Sequence, residues 1–80
     1  YVTIDCQDAN GCDITMGEGA AVQDGNLAVI VNVSSNAVNF ADSAGAGVSE
    51  LAGAFASGLR DTITMIYNTN TWVELSRSDN

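Results

Sequence analysis

The residues with chemistry to offer gather near the start of the chain. Cys6 and Cys12 are the only cysteines, and they flank Asn10-Gly11, the dipeptide best suited to a type I′ hairpin turn with its positive φ angles. Facing each other across such a hairpin, they would form a disulfide. So short a closed loop stabilises less than a long one, and the bond would place the protein in an oxidising setting. The alternative is a pair of buried thiols in a reducing cytoplasm. With no histidine in the chain, the pair makes a poor zinc site. The same stretch holds Asp5, Asp8, Asn10 and Asp13, oxygen-bearing side chains around Gly11 of the kind calcium takes. No glutamate closes that loop at the usual distance. A solvated acidic turn is the preferred reading and a calcium site the lesser one.

Little else suggests catalysis. Gly17-Glu18-Gly19 is followed by no phosphate-loop glycine pattern, and the chain has no lysine. Glu18, Asp24, Glu50, Asp61, Glu74 and Asp79 are dispersed, and no spacing singles out an acid–base pair for glycoside hydrolysis. Without histidine or lysine, the commonest general base and the usual amine nucleophile are missing. We expect no enzyme activity and no cofactor, calcium aside. Asn32-Val33-Ser34 is a formal N-glycosylation acceptor, but it falls on a predicted strand, where a plain polar residue is the better reading. Trp72, Tyr67 and Tyr1 could make a sugar-stacking platform, although an aromatic on a terminal strand more often packs in a core or an interface.

Composition narrows the partners. Ten acids against two arginines give a net charge of −8 over 80 residues. Two cations cannot displace the counterions of a nucleic-acid backbone, so no nucleic-acid partner is expected. No apolar run approaches the ~20 residues of a membrane span. Val, Ile and Thr supply 19 residues and Ala another 11, a balance that favours strands and leaves few large side chains for a core. A domain this small usually needs a disulfide, a metal or a partner subunit, and we expect an oligomer.

Turn signals recur at the short intervals of an all-β sandwich or jelly-roll-like barrel, with roughly seven to nine strands in one module over residues 1–80. Strands are expected at 1–5, 13–16, 20–23, 27–33, 37–40, 61–67 and 71–76. Residues 41–47, rich in Gly, Ala and Ser, read as a loop. Apolar residues at 48, 51, 52, 55 and 59 follow helical spacing. Gly53 and Gly58 weigh against a helix, so two short strands are preferred to one short helix at 48–59. Leu27, Val29, Val31, Ile63, Met65, Val73 and Leu75 are the expected core. The surplus apolar positions Ile30, Phe40, Phe55, Ile66 and Trp72 are expected to meet neighbours, with Tyr1, Val2 and Ile4 completing another subunit's sheet.

One order of elements stands out between residues 14 and 78. It runs from Asp24-Gly25-Asn26 into the apolar strand 27–33, then 37–40 and the Gly/Ala loop. Asp61-Thr62-Ile63-Thr64 and Trp72-Val73-Glu74 follow. This order resembles small β-modules of phage tail-fibre and head-fibre (decoration) proteins. The resemblance implies a non-enzymatic structural module, commonly a homotrimer, on a virion surface. Cys6 and Cys12 depart from that pattern and would fit a secreted subunit that polymerises head to tail into an extracellular filament. We expect self-association by one of these routes, tightening with salt as like-charge repulsion is screened. The alternative of another class is a receptor- or glycan-binding tip using Tyr67 and Trp72.

Overall fold

Cross-strand register decides which side chains this chain buries. The computed structural model describes residues 1–17, 22–42 and 49–80. Among the described residues, eight strands form two sheets: β1 (Val2–Ile4), β2 (Cys12–Asp13), β3 (Leu27–Asn32), β4 (Val38–Phe40), β5 (Ser49–Glu50), β6 (Phe55–Ser57), β7 (Thr62–Asn68) and β8 (Thr71–Ser78). The larger sheet has the order β1-β3-β7-β8-β5 and the smaller β2-β4-β6. This is the expected all-β sandwich. Two short strands, not a helix, occupy the described part of 48–59, and Gly53 turns there at φ 134°. No helix among the described residues is long and apolar enough to cross a membrane. Glu18, Gly19, residues 20–21 of the expected strand 20–23, residues 43–47 of the expected loop and Val48 lie outside the described residues.

The long strands carry the sheet. Antiparallel β3 and β7 pair Leu27 with Ile66, Val29 with Thr64, and Ile30 with Ile63. A two-residue turn at Thr69 and Asn70, both at positive φ, then folds β8 back onto β7, as tight hairpins require. Directly paired residues share a face. Since Ile63 and Met65 are buried to within 1% exposure, their partners Ile30 and Ala28 must also point inward. The expected core is therefore corrected on β3 and β8. Ile63 and Met65 are core, but Leu27 is 61% and Leu75 57% exposed, while Ile30, Phe40, Phe55 and Trp72 are buried. A one-residue change of register reverses a whole strand in this way.

The start of the chain is also corrected. β1 and β2 do not pair around Asn10-Gly11. β1 runs parallel to β3 in one sheet, and β2 runs parallel to β4 in the other. Gly11, at φ 94°, closes a turn by donating its N–H to Asp8 O at 2.9 Å. A Cβ at Gly11 would lie 3.2 Å from Ala37 O, so a side chain there would press β2 away from β4. The Cys6–Cys12 disulfide forms, with Cα atoms 5.9 Å apart. It ties the chain where it crosses from one sheet to the other.

At the heart of the sandwich lies a polar residue. Asn32 is 1% exposed. Its Nδ2 donates to Asn36 O at 2.9 Å and, across the sandwich, to Ser57 O at 2.8 Å. Its Oδ1 accepts from Ser34 N–H and Ser34 Oγ–H at 2.8 and 2.7 Å. Both donors and both lone pairs are thus used. This closes the glycosylation question in the folded chain, because the acceptor nitrogen of Asn32-Val33-Ser34 is buried and committed.

Below Asn32, the turn 58–61 is held by Asp61, which is 3% exposed. Asp61 accepts from Gly58 N–H and Asn80 N–H, each at 2.7 Å. The Gly58 N–H above all holds its carboxyl below the usual aspartate range; burial opposes this, and Asn80 N–H and the Asp79 side chain assist. Glu74 is likewise lowered, chiefly by its hydrogen bond from Arg77, 2.8 Å away. Arg60, in the same turn, adopts φ 67° and is pinned by its N–H to Asn32 O at 2.7 Å and its carbonyl to Asn80 Nδ2 at 2.9 Å.

Three outcomes are expected. Asn32→Ala removes four hydrogen bonds, leaving the buried Ser57 O and Ser34 N–H without that partner, and lowers stability by about 3 kcal/mol in urea denaturation; a loss below about 1 kcal/mol contradicts the hub. Arg60→Gly relieves the left-handed strain, offset by glycine's greater chain entropy, for a net gain of about 0.5–1 kcal/mol. Because the folded Asp61 and Glu74 values are depressed, their contribution is present above the unfolded carboxylate values near ~4 and is lost as pH falls through the folded ones. Asp61→Asn should be less stable at neutral pH and show a flatter loss on acidification than the parent.

Candidate self-association surface

Two apolar surfaces stand out among the described residues. The first is the outer face of the five-stranded sheet. Alternation places Thr3, Leu27, Val29, Val31, Thr62, Thr64, Ile66 and Val73 there, since their partners or neighbours Ile30, Ile63, Met65 and Trp72 fill the inside. Leu27, Ile66 and Val73 form one unbroken cross-strand row. At a register shift between Thr64 and Met65, β8 gains a residue and Leu75 is left exposed. An antiparallel sheet with a solvated side normally shows polar residues there. Here β3, β7 and β8 present aliphatic and hydroxyl side chains with no charge. Among the described residues, carboxylates stand only at the borders: Glu50, paired with Val73 on edge strand β5, and Asp5 beyond the end of β1. The inward charged pair of β8 is used internally. Arg77 bonds Glu74 and Gly53 O, and its guanidinium carbon lies 4.6 Å from the Phe55 ring centroid.

The second surface is a groove of about 490 Å³ on the open β1 side of the sandwich. Its walls include Val2, Ile4, Ile14, Met16, Leu27 and Trp72. Tyr1, 85% exposed, stands at its rim. Val2, Ile4, Ile14 and Met16 belong to the segments that flank Cys6 and Cys12, so the disulfide sets their separation. Ile4 O accepts Val33 N–H. Alternation then turns the N–H and C=O of Thr3 outward along a free edge that carries neither proline nor lysine.

The expected association residues divide between these places and the core. Ile66 lies on the outer face, and Tyr1, Val2 and Ile4 border the groove. Ile30, Phe40 and Phe55 are corrected, being packed inside their own chain with the two phenylalanine rings 6.2 Å apart. Trp72 is corrected as well. It is 7% exposed, stands edge-on to Tyr67 at 5.2 Å, and donates its Nε1–H to Gly17 O at 2.8 Å. Tyr67 is 5% exposed, so the two rings offer no open platform for a sugar. Asp5, Asp8, Asn10 and Asp13 do not assemble into a cage. Asp8 Oδ1 caps Asn10 N–H, Asp13 Oδ1 accepts from Asn39 Nδ2, and among the described residues no group of three or more potential ligands gathers. Val29, Val31, Thr62, Thr64 and Val73 were missed as a surface. The signal that reveals them is the lack of any charge at alternate positions along two long neighbouring strands. Comparisons with protein-family models, curated proteins and solved structures find no match.

Proposed function

We propose that this chain is a non-enzymatic structural module that self-associates through the outer face of its larger sheet, displayed on a virion surface or repeated in an extracellular filament. One observation carries the reading: a chain of net charge −8 keeps the outward side chains of the three long strands of that face free of charge. Copies bearing eight surplus negative charges repel one another, and the site of closest approach must be the surface where carboxylates are absent. The half-buried β-branched side chains of that face and the exposed Leu27 then supply the burial energy, at roughly 25 cal/mol per Å² removed from water. The disulfide supports the extracellular setting, since such bonds persist where thiols are not kept reduced. The order of elements between residues 14 and 78, which resembles phage fibre and decoration modules, supports the structural role.

Sedimentation equilibrium tests the proposal. The parent should run as a multiple of 8.2 kDa. Val29→Lys and Ile66→Lys should run near one chain mass while keeping the parent's circular dichroism. Association should strengthen between about 0.01 and 0.15 M salt, as the Debye length falls from ~30 to ~8 Å. A parent that stays monomeric at high concentration, or an assembly that weakens as salt rises, contradicts the reading.

A further inference from the structure

β1 is a weakly anchored edge strand. It is 3 residues long and borders β3 alone, with Val2 49% exposed. Parallel pairing sets Val2 beside Ile30, Thr3 beside Val31 and Ile4 beside Asn32. Val33 N–H donates to Ile4 O at 2.9 Å, and Asn36 Nδ2 donates to Cys6 O at 2.8 Å. An element with so few contacts belongs to the part of a fold that opens most easily. Its place cannot stay empty, however. Departure of residues 1–6 bares the backbone of β3 and takes Ile4 and the buried Cys6 out of the core. The segment shaped to refill that place is β1 of a second copy, which brings the same register and the same hydrogen bonds.

The tether of β1 has no hold on either sheet. Gln7, Asp8, Ala9 and Asn10 are exposed. Among the described residues, the hydrogen bonds of 7–11 stay local, with Gly11 N–H on Asp8 O and Asn10 N–H on Asp8 Oδ1, each at 2.9 Å. Beyond it the chain is fixed again, since Cys12 N–H donates to Ala37 O at 2.9 Å. Once β1 lifts, the disulfide alone keeps Cys6 and Cys12 at a Cα separation of 5.9 Å. Freed of it, the same stretch extends to ~20 Å, at ~3.4 Å per residue, far enough to carry β1 to a neighbour.

We propose that the Cys6–Cys12 disulfide gates an exchange of β1 between two copies. A dithiol reductant opens the gate at Cys12, which is half-buried while Cys6 is 2% exposed. Its thiolate bonds to Cys12 Sγ as the Cys6–Cys12 bond breaks, and Cys6 leaves as a thiolate and takes up a proton. The second thiol of the reductant then displaces Cys12. Two electrons and two protons have passed to the cysteines, and the reductant has become a disulfide. β1 of each copy now pairs with β3 of the other, a reciprocal exchange that closes on a two-fold axis. The contacts equal those of a single copy, so the balance is set by the effective concentration of the tethered strand, on the order of mM. Cys6 arrives beside Cys12 of the other copy. A small-molecule disulfide re-oxidises that pair, is itself reduced to two thiols, and so locks the exchange covalently. The proposal goes beyond the outer-face reading and does not rest on it.

The test mixes ordinary and isotope-labelled full chains at about 1 mM without denaturant. The mixture is reduced with dithiothreitol, freed of it and re-oxidised with oxidised glutathione. Proteolysis before Asp5, Asp8 and Asp13 separates the cysteines onto peptides 5–7 and 8–12, and mass spectrometry reads which labels are joined. Mixed-label pairs of 5–7 with 8–12 should exceed those of a never-reduced mixture by at least about tenfold. They should exceed Cys6–Cys6 and Cys12–Cys12 links by a similar factor, and the Ile66→Lys chain should give them as the parent does. Same-label pairs alone, all three kinds of link in random proportion, or a reduced chain that loses its circular dichroism overturns the exchange and leaves the outer-face reading standing. Mixed pairs that vanish in Ile66→Lys arise from outer-face packing and overturn it as well.

Discussion

The pairing of β3 with β7 is the constraint on which the rest of this molecule depends. Once Ile30 lies opposite Ile63, the two strands can bury only one set of alternate residues. Ala28, Ile30, Asn32, Ile63, Met65 and Tyr67 go inward, and Leu27, Val29, Val31, Thr64 and Ile66 go outward. The inward set includes an amide, and Asn32 succeeds there because every one of its hydrogen-bonding positions finds a partner, including Ser57 O on the opposite sheet. The outward set is as apolar as the inward one. The sheet therefore has one core on its inner side and the makings of another outside it, which a single copy leaves uncovered.

The small sheet is subordinate to this arrangement. β2, β4 and β6 are two or three residues each and could not stand alone. They are held by Phe40 and Phe55, by the Asn32 amide, and by the disulfide at the point where the chain leaves β1 for β2. With a modest core, this staple constrains the unfolded chain and also fixes the groove beside it. One bond thus serves stability and the shape of a surface together.

The sequence made the strands legible but not their faces. Residues 27–33 and 61–67 alternate clearly, turn residues mark 24–26 and 68–70, and the cysteines announce their bond. The side of β3 that faces the core could not be read locally, because Leu27, Val29 and Val31 outweigh Ala28, Ile30 and Asn32 in apolar character. Only the partner strand settles it. The Asn10-Gly11 dipeptide misled for a related reason: it suggests a type I′ hairpin, whereas the turn that forms spans Asp8–Gly11 and the flanking strands find parallel partners far along the chain. Arg60 gives no sign in sequence of its left-handed backbone, since that conformation is imposed by Asn32 and Asn80.

The most direct measurement is methyl NMR with a soluble paramagnetic agent at assembling concentration. If copies cover the outer face, the methyl groups of Val29, Val31 and Ile66 are shielded nearly as well as that of Ile63 in the core. If those three methyl groups relax as freely as an exposed side chain in water, the outer face is bare and the account is wrong.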